Sequence, residues 1–130
     1  MSQVFIDALN RKLESIYPDV SNRLHRLDEL PDLIQQEVVA GLLSHACQSQ
    51  HVGNILAAKD AIATIPRQCV SRVLDAAIHK GVDLADEWEY RRLLEVLREM
   101  QSDRLKTFIA LGLTSDDVEI REAAEDFKAR

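Results

Sequence analysis

Residues 66–100 read PRQCVSRVLDAAIHKGVDLADEWEYRRLLEVLREM, and this stretch decides the fold because its pattern recurs on both sides of it. Leu30-Pro31-Asp32 and Ile65-Pro66-Arg67 lie 35 residues apart, and Met100-Gln101-Ser102 lies one further step of 35 along the chain. An internal period of this length is typical of stacked helix pairs, in which each unit buries its apolar face against the next. We therefore expect Gln101 to open a further unit that lacks the proline.

The apolar positions keep the same period. In the first half of each unit the matched residues are Val38, Val39, Leu42 and Leu43, then Val73, Leu74, Ala77 and Ile78, then Phe108, Ile109, Gly112 and Leu113. In the second half they are Ile55, Ala58, Ile62 and Ile65, then Tyr90, Leu93, Leu97 and Met100, then Ile120, Ala123 and Phe127. The last set follows at a shift of 30, because a short turn through 114–117 replaces the longer loop at 81–86.

Helical periodicity and helix-ending residues place the individual elements. A first amphipathic helix is predicted from Ser2 to Tyr17, and a shorter second one runs from Val20 to Leu30. The remaining helices are predicted at 32–49, 52–65, 67–80, 86–100, 102–113 and 116–129. Pro31 and Pro66 are tolerated in the first turn of a helix, where no N–H is needed.

These helices predict one all-α domain over residues 1–130. Its architecture is expected to be a right-handed α-solenoid of about four stacked helical hairpins. Residues 1–30 are interpreted as a degenerate capping pair, since a stack needs an atypical unit to cover its end. The repeats then span 31–65, 66–100 and 101–130.

The stretch from Ser115 to Phe127 resembles the turn and second helix of a HEAT repeat, with an acidic turn, an apolar-Arg pair and small residues before a large apolar one. Tyr90-Arg91 keeps the same apolar-Arg start, whereas the equivalent Ile55-Leu56 lacks the arginine. The resemblance covers 31–130, and it implies a structural ladder between neighbouring units. The residues of that ladder would be Arg91, Arg121, Asp116 and Asp117. Because Pro31 and Pro66 precede the first helix, a tetratricopeptide-like or other helical-hairpin array stays open.

Composition and charge narrow the function classes. The chain has 130 residues, 46% of them apolar, and a formal net charge of −6 without a strongly basic segment. Nucleic acid is therefore not the expected partner, because phosphate binding depends on clustered Lys and Arg. No membrane span and no leader pattern is seen, which predicts a cytoplasmic protein. Cys47 and Cys69 are expected to be buried and reduced, with a disulfide as the alternative.

The sequence does not predict an enzyme. His45, Cys47 and His51 are spaced poorly for a metal site, because helix positions i and i+2 point about 200° apart. Cys69 and His79 are ten residues apart in one helix, so they do not form a local dyad. Glycine-rich phosphate loops and H-E-x-x-H motifs do not occur in the sequence. We expect no catalytic residue, no metal and no cofactor.

Protein binding is the predicted function, through the surface of the second helices. Trp88 is expected to project away from the buried side of its helix, and tryptophan and arginine are frequent interface anchors. The proposed partner-binding residues are Trp88, Arg91, Arg92, Glu95, Lys59 and Glu122. Packing of Trp88 against the Leu84-Ala85 loop is the structural alternative.

Two other functions stay open at this point. A nucleic-acid-binding repeat protein would need a continuous basic groove through Arg67, Arg72, Arg91, Arg92, Arg98, Arg104 and Lys106. An oligomeric scaffold, such as a homodimer, would bury an end helix of the array. The identity of a protein partner is not encoded in any motif of the sequence.

Overall fold

A computed structural model describes residues 3–130, and these residues are helical with short connections and without a β-strand. The α-helices are α1 (Gln3–Ile16), α2 (Asp32–Gln48), α3 (Val52–Thr64), α4 (Arg67–Gly81), α5 (Glu87–Glu99), α6 (Arg104–Leu113) and α7 (Val118–Ala129). Two 3₁₀ segments, Val20–Asn22 and Leu24–Glu29, lie between α1 and α2. The all-α class predicted from the sequence is confirmed. Ser2, the predicted start of the first helix, lies outside the described residues.

The six helices predicted from 32 onward all form, and each of their ends lies within two residues of the predicted position. Pro31 and Pro66 are the residues immediately before α2 and α4, and their carbonyl groups accept the first helical hydrogen bonds, from Gln35 N and Val70 N. Because a residue in that position donates no helical hydrogen bond, proline is tolerated there. Gln101 ends α5 in the left-handed region, with φ of 55°.

The predicted helix over 20–30 is wrong, because this stretch forms the two 3₁₀ segments. The Glu14 carboxylate accepts hydrogen bonds from Asp19 N (2.7 Å) and Ser21 N (3.1 Å), which holds the turn that ends α1. Asp19 adopts φ of 63° in this turn. Leu24, Leu27 and Leu30 recur every three residues, a spacing that matches the 3.0 residues per turn of a 3₁₀ helix.

The core is built around α2, which contacts α1, α3, α4 and α5. Its apolar side chains Val38, Leu42 and Leu43 are fully buried. At the end of α4, a Cβ on Gly81 would overlap the backbone carbonyl of Ala40, so α2 and α4 approach closely at this point. Glycine is needed at this position because no side chain fits between the helices; its backbone φ angle is negative, as for other residues.

Gln35 is a buried polar residue that the sequence analysis did not single out. Its Nε2 donates to the Leu30 carbonyl (2.6 Å), and its Oε1 accepts hydrogen bonds from the Cys69 thiol (3.2 Å) and from Arg72. A buried amide is stable only when such partners are present. Gln35 therefore ties the end of the 3₁₀ segments to α4.

Tyr90 connects α5 to α6 through a buried hydrogen bond. Its ring is buried, its hydroxyl donates to the Phe108 carbonyl (2.7 Å), and burial raises its pKa to about 12. A Cβ on Gly112 would overlap this hydroxyl and would lie 2.9 Å from the Ala124 Cβ. The equivalent positions of the two preceding units are Leu42 and Ala77. This unit has a glycine instead, because the Tyr90 side chain fills the space that a larger residue would need.

Candidate functional site

Trp88 lies on the outward side of α5 and is 64% exposed. Asp86 caps this helix by accepting a hydrogen bond from Glu89 N (3.1 Å), which fixes the first turn that carries the tryptophan. The Arg92 guanidinium lies 5.4 Å from the centre of the Trp88 ring, one helical turn further along. The ring is thus presented to solvent beside an arginine and is not packed into the Leu84-Ala85 loop.

A cleft of about 420 Å³ adjoins Trp88, between the end of α2 and the start of α5. We name it the Trp88 cleft; its lining residues are Cys47, Gln48, Ser49, Gln50, Asp86, Trp88, Glu89 and Arg92. Glu89 Oε1 accepts hydrogen bonds from Gln48 Nε2 (3.0 Å) and from Asp83 N (3.0 Å), so it joins the two walls. These hydrogen bonds frame the cleft by bridging α2 and α5.

Cys47 contributes the buried floor of the Trp88 cleft. Burial, with a smaller effect of the nearby Glu89 carboxylate, raises the pKa of its thiol to about 12. A thiol is nucleophilic as the thiolate, so Cys47 is protonated and unreactive at neutral pH. Cys47 and Cys69 are both free and buried.

A second cleft of about 380 Å³ lies further along α5, between this helix and α3. We name it the Lys59 cleft; its lining residues are Lys59, Asp60, Ile62, Ala63, Ile65, Arg67, Val70, Val96, Glu99 and Met100. Lys59 Nζ pairs with Glu99 Oε1 at 2.9 Å and thereby links α3 to α5. Arg67 Nη2 donates to the carbonyls of Met100 (3.0 Å) and Gln101 (3.3 Å), which satisfies the end of α5.

The charged residues of α5 lie on two sides of the helix, one beside the clefts and the other beside α7. Arg92 pairs with Glu95 (3.2 Å), on the side of the helix that adjoins the two clefts. On the other side, Arg91 pairs with Asp126 of α7 (3.1 Å) as well as with Glu87 (3.4 Å). The predicted binding residues are thus separated, because Arg91 belongs to the contact between α5 and α7.

The other predicted partner-binding residues also differ in position. Lys59 lines its cleft with a side chain that is 18% exposed, whereas Glu95 contacts Arg92, a residue of the Trp88 cleft, and lines neither cleft itself. Glu122 is exposed on α7, outside both clefts. The structure therefore brings together Trp88, Arg92 and Glu95 along one flank of α5.

The residues of the expected ladder make different contacts from one another. Asp117 caps α7 by accepting from Glu119 N (2.8 Å), and Arg121 Nη1 donates to the Ser115 carbonyl (2.8 Å) within the same turn. Asp116 is exposed in that turn. Arg91 links α5 to α7 through Asp126, a residue that the sequence analysis did not select.

Helix α3 exposes an apolar ridge that the sequence analysis missed. Val52 is 64% exposed and Leu56 is 47% exposed, and Ala63 follows on the same side of the helix, where Lys59 interrupts the ridge. The signal that marks this ridge is the low charge of α3, which has Lys59 and Asp60 as its charged residues. The equivalent helix α5 has seven, namely Glu87, Glu89, Arg91, Arg92, Glu95, Arg98 and Glu99.

The histidines and cysteines considered for metal binding have other environments. His51 caps α3 by accepting from Gly53 N at its Nδ1 (3.1 Å), and it stacks beside the Phe5 ring. Burial lowers the pKa of His45. Within residues 3–130, His, Cys, Asp and Glu side chains do not form a group of three or more suited to a metal ion.

Comparison with known proteins gives no match: no family model fits the chain, and neither a curated protein nor a solved structure resembles it closely enough to report. In residues 3–130, none of the helices combines the length and the apolar character needed to cross a membrane.

Proposed function

We propose that this chain is a non-catalytic protein-interaction module built as a HEAT-like stack of helical hairpins. The observation that carries the proposal is the exposed Trp88, held beside Arg92 at the mouth of a framed cleft. Tryptophan and arginine are the residues most enriched at the hot spots of protein interfaces. The binding residues in this proposal are Trp88, Arg92 and Glu95 on α5, with Lys59 of α3 beside the far end of that helix.

Ion pairs between equivalent helices support the stacked arrangement. Arg72 with Asp32 joins α2 to α4, and Arg104 with Asp75 joins α4 to α6 through two contacts of 2.8 Å. In the other layer, the pairs from Lys59 and from Arg91 join α3 to α5 and α5 to α7. These four ion pairs, each between helices one sequence repeat apart, are the contacts that support a stacked array.

Protein is favoured over nucleic acid because six of the seven basic residues considered for a groove, all except Lys106, are engaged within the chain. Arg67 donates to backbone carbonyls, Arg98 lies 4.3 Å above the Phe127 ring, and Arg104 pairs with Asp75 on both carboxylate oxygens. Arg72, Arg91 and Arg92 each pair with a carboxylate as well. Phosphate binding would require these pairs to break.

The proposed function is tested by affinity capture from a lysate of the cells that produce the protein, with quantitative comparison of three baits. We expect the wild-type chain and Leu33→Ala to capture the same protein and Trp88→Ala to lose it. Leu33 is the matched control, because it is 59% exposed on α2 and lines neither cleft. Equal capture by all three baits would refute the Trp88 surface.

The oligomeric alternative is tested on the same variants by sedimentation equilibrium. A wild-type dimer that becomes monomeric in Trp88→Ala would replace the proposed module by a scaffold formed from copies of this chain. A monomer in all three cases is the expected result.

A further inference from the structure

We propose that His45 and His51 form an acid-sensitive junction, which holds helix α1 on α2 and α3 while both imidazoles are neutral and loosens it when they are protonated. This inference goes beyond the proposed function and does not depend on the Trp88 surface. Two observations carry it. His45 has a buried ring nitrogen without a hydrogen-bond partner, and His51 has a ring nitrogen that accepts a hydrogen bond from the backbone.

Helix α1 approaches α2 and α3 closely at two glycines. A Cβ on Gly41 of α2 would lie 2.8 Å from the end of the Ile16 side chain, and a Cβ on Gly53 of α3 would overlap the Phe5 ring. Between these two points α1 buries Leu9 and Leu13. The docking of α1 therefore depends on the local geometry of α2 and of the first turn of α3.

His45 is half-buried on α2, and its Nε2 is buried without a hydrogen-bond partner. From the surrounding helices, the charged group that faces His45 is Lys12 of α1, and the polar group is the Asn54 amide of α3. Lys12 Nζ lies 3.5 Å from the hydroxyl of Ser44, the neighbour of His45 in α2. A protonated His45 would thus place a second positive charge beside Lys12 and a buried N–H without an acceptor.

The direction of the effect of pH on His45 follows from these contacts. Burial, together with repulsion from Lys12, lowers the pKa of His45 from its usual value of 6.5, although the Asn54 amide acts in the opposite direction. A histidine whose pKa is lowered by folding stabilises the folded state while it is neutral. This contribution is complete above the usual pKa of 6.5 and is lost as the pH falls from that value to the folded pKa.

His51 is needed in its neutral form for a different reason. Its Nδ1 accepts the hydrogen bond of Gly53 N (3.1 Å), and its ring lies 4.4 Å from the Phe5 ring of α1. A protonated imidazole has two donors and no acceptor, so this cap of α3 would be lost. The positive charge would also stand at the N-terminus of α3, where the helix dipole disfavours it. Because Phe5 rests on His51 and Gly53, loss of the cap would disturb the docking of α1.

Carboxylates do not compensate for protonation at this junction. Among residues 3–130, neither histidine forms an ion pair with an Asp or Glu side chain. The first turn of α3 has no acidic residue, and Asp7 of α1 is exposed and accepts a hydrogen bond from Gln3. Protonation of either histidine therefore opposes the docking of α1.

Hydrogen exchange of the full chain, followed by mass spectrometry at pH 7.5 and pH 5.5, tests the inference. Exchange rates are corrected for their intrinsic dependence on pH. This range titrates histidine, whereas Asp and Glu side chains, with usual pKa values near 4, stay largely ionised. We expect the protection of the α1 amides to fall roughly tenfold at pH 5.5, while that of the α4 amides changes little.

Two matched double variants separate the junction from a general effect of acid. His45→Gln with His51→Asn removes both titrating groups, and asparagine still caps α3. We expect its α1 protection to be the same at both pH values. His25→Gln with His79→Gln changes two exposed histidines outside the junction and should behave as the wild type does.

Lys12→Gln gives a second test that leaves both histidines in place. It removes the charge that repels a protonated His45, so the fall in α1 protection at pH 5.5 should be smaller than in the wild type. It also decides the question if circular dichroism shows that the His45 and His51 double variant does not fold.

Three results would overturn the inference. The first is unchanged α1 protection at pH 5.5 in the wild type, and the second is an equal fall in α1 and α4. The third is an undiminished fall in the His45 and His51 double variant or, where that variant does not fold, in Lys12→Gln.

Discussion

The junction between α5 and α7 is closed, whereas the equivalent junction between α3 and α5 contains the Lys59 cleft. At the closed junction Arg91 pairs with Asp126. One unit earlier, the repeat places Leu56 and Val96 at these two positions. The comparison teaches that the closed junction has an ion pair at two positions where the open junction has apolar residues. Leu56 is exposed at the position where α5 has Arg91.

The strongest test of the closed junction is Gly112→Ala. The added Cβ would meet the Tyr90 hydroxyl and the Ala124 Cβ, so we expect the free energy of unfolding to fall by roughly 2 to 3 kcal/mol. This cost exceeds the ~1 kcal/mol that alanine gains over glycine in a helix. Urea denaturation measures the difference.

Two variants control this prediction. Gly41→Ala places a Cβ 2.8 Å from the flexible end of Ile16, so its cost is smaller. Tyr90→Phe in the Gly112→Ala background removes the clashing hydroxyl and should recover part of the loss. An unfolding free energy for Gly112→Ala equal to that of the wild type would show that Tyr90 and Gly112 are not in close contact.

The open junction is tested by Leu56→Arg, which gives α3 the residue of its counterpart in α5. Stability should change by no more than about 0.5 kcal/mol, since Leu56 is a surface residue. Urea denaturation measures the difference, and Leu33→Arg is the control with the same change of charge at another exposed position. A much larger loss of stability in Leu56→Arg alone would show that Leu56 is packed against its neighbours.

The reciprocal change is Arg91→Leu, which gives α5 the residue found at Leu56. It removes the contacts with Asp126 and Glu87, and both carboxylates are partly exposed. We expect a loss of about 0.5 to 1 kcal/mol in unfolding free energy, as for other solvent-accessible ion pairs. A double-mutant cycle with Asp126→Ala, read by urea denaturation, isolates the pair. A coupling energy of zero would mean that the closed junction is held by apolar packing without help from this pair.

The sequence predicted the helices well because apolar residues at helical spacing identify a buried face. Six helices from residue 32 onward lie where the period places them. The helix predicted over 20–30 was wrong, because the turn before it is held by hydrogen bonds from Asp19 and Ser21 to the Glu14 carboxylate. The spacing of apolar residues does not reveal such a contact. Leucines at intervals of three suit either a 3₁₀ or an α-helix over so short a length.

The candidate site was predicted in part, because exposure and pairing depend on tertiary position. The outward direction of Trp88 followed from the helical period of α5. The pairing of Arg91 with Asp126 did not, since it depends on how closely α5 approaches α7. Gln35 and the α3 ridge were missed for a related reason. A polar residue in a core and an apolar residue on a surface both depart from the pattern on which the prediction relied.

The smallest expected effect is a pH dependence confined to the closed junction. A hydrogen bond with Glu87 and repulsion from its carboxylate raise the pKa of Glu119 from its usual value of 4.5. A carboxyl group with a raised pKa in the folded state favours folding while it is protonated, and that contribution is lost as the pH rises through the folded pKa. At neutral pH the ionised Glu119 therefore opposes the closure of α5 on α7. We expect Glu119→Gln to raise the midpoint of urea unfolding at pH 7, and the advantage over the wild type should shrink as the pH falls below the usual pKa of Glu119. Glu125→Gln, an exposed change of equal charge on the same helix, is the control. A gain in Glu119→Gln that is the same at every pH would show that repulsion from Glu87 is not its cause.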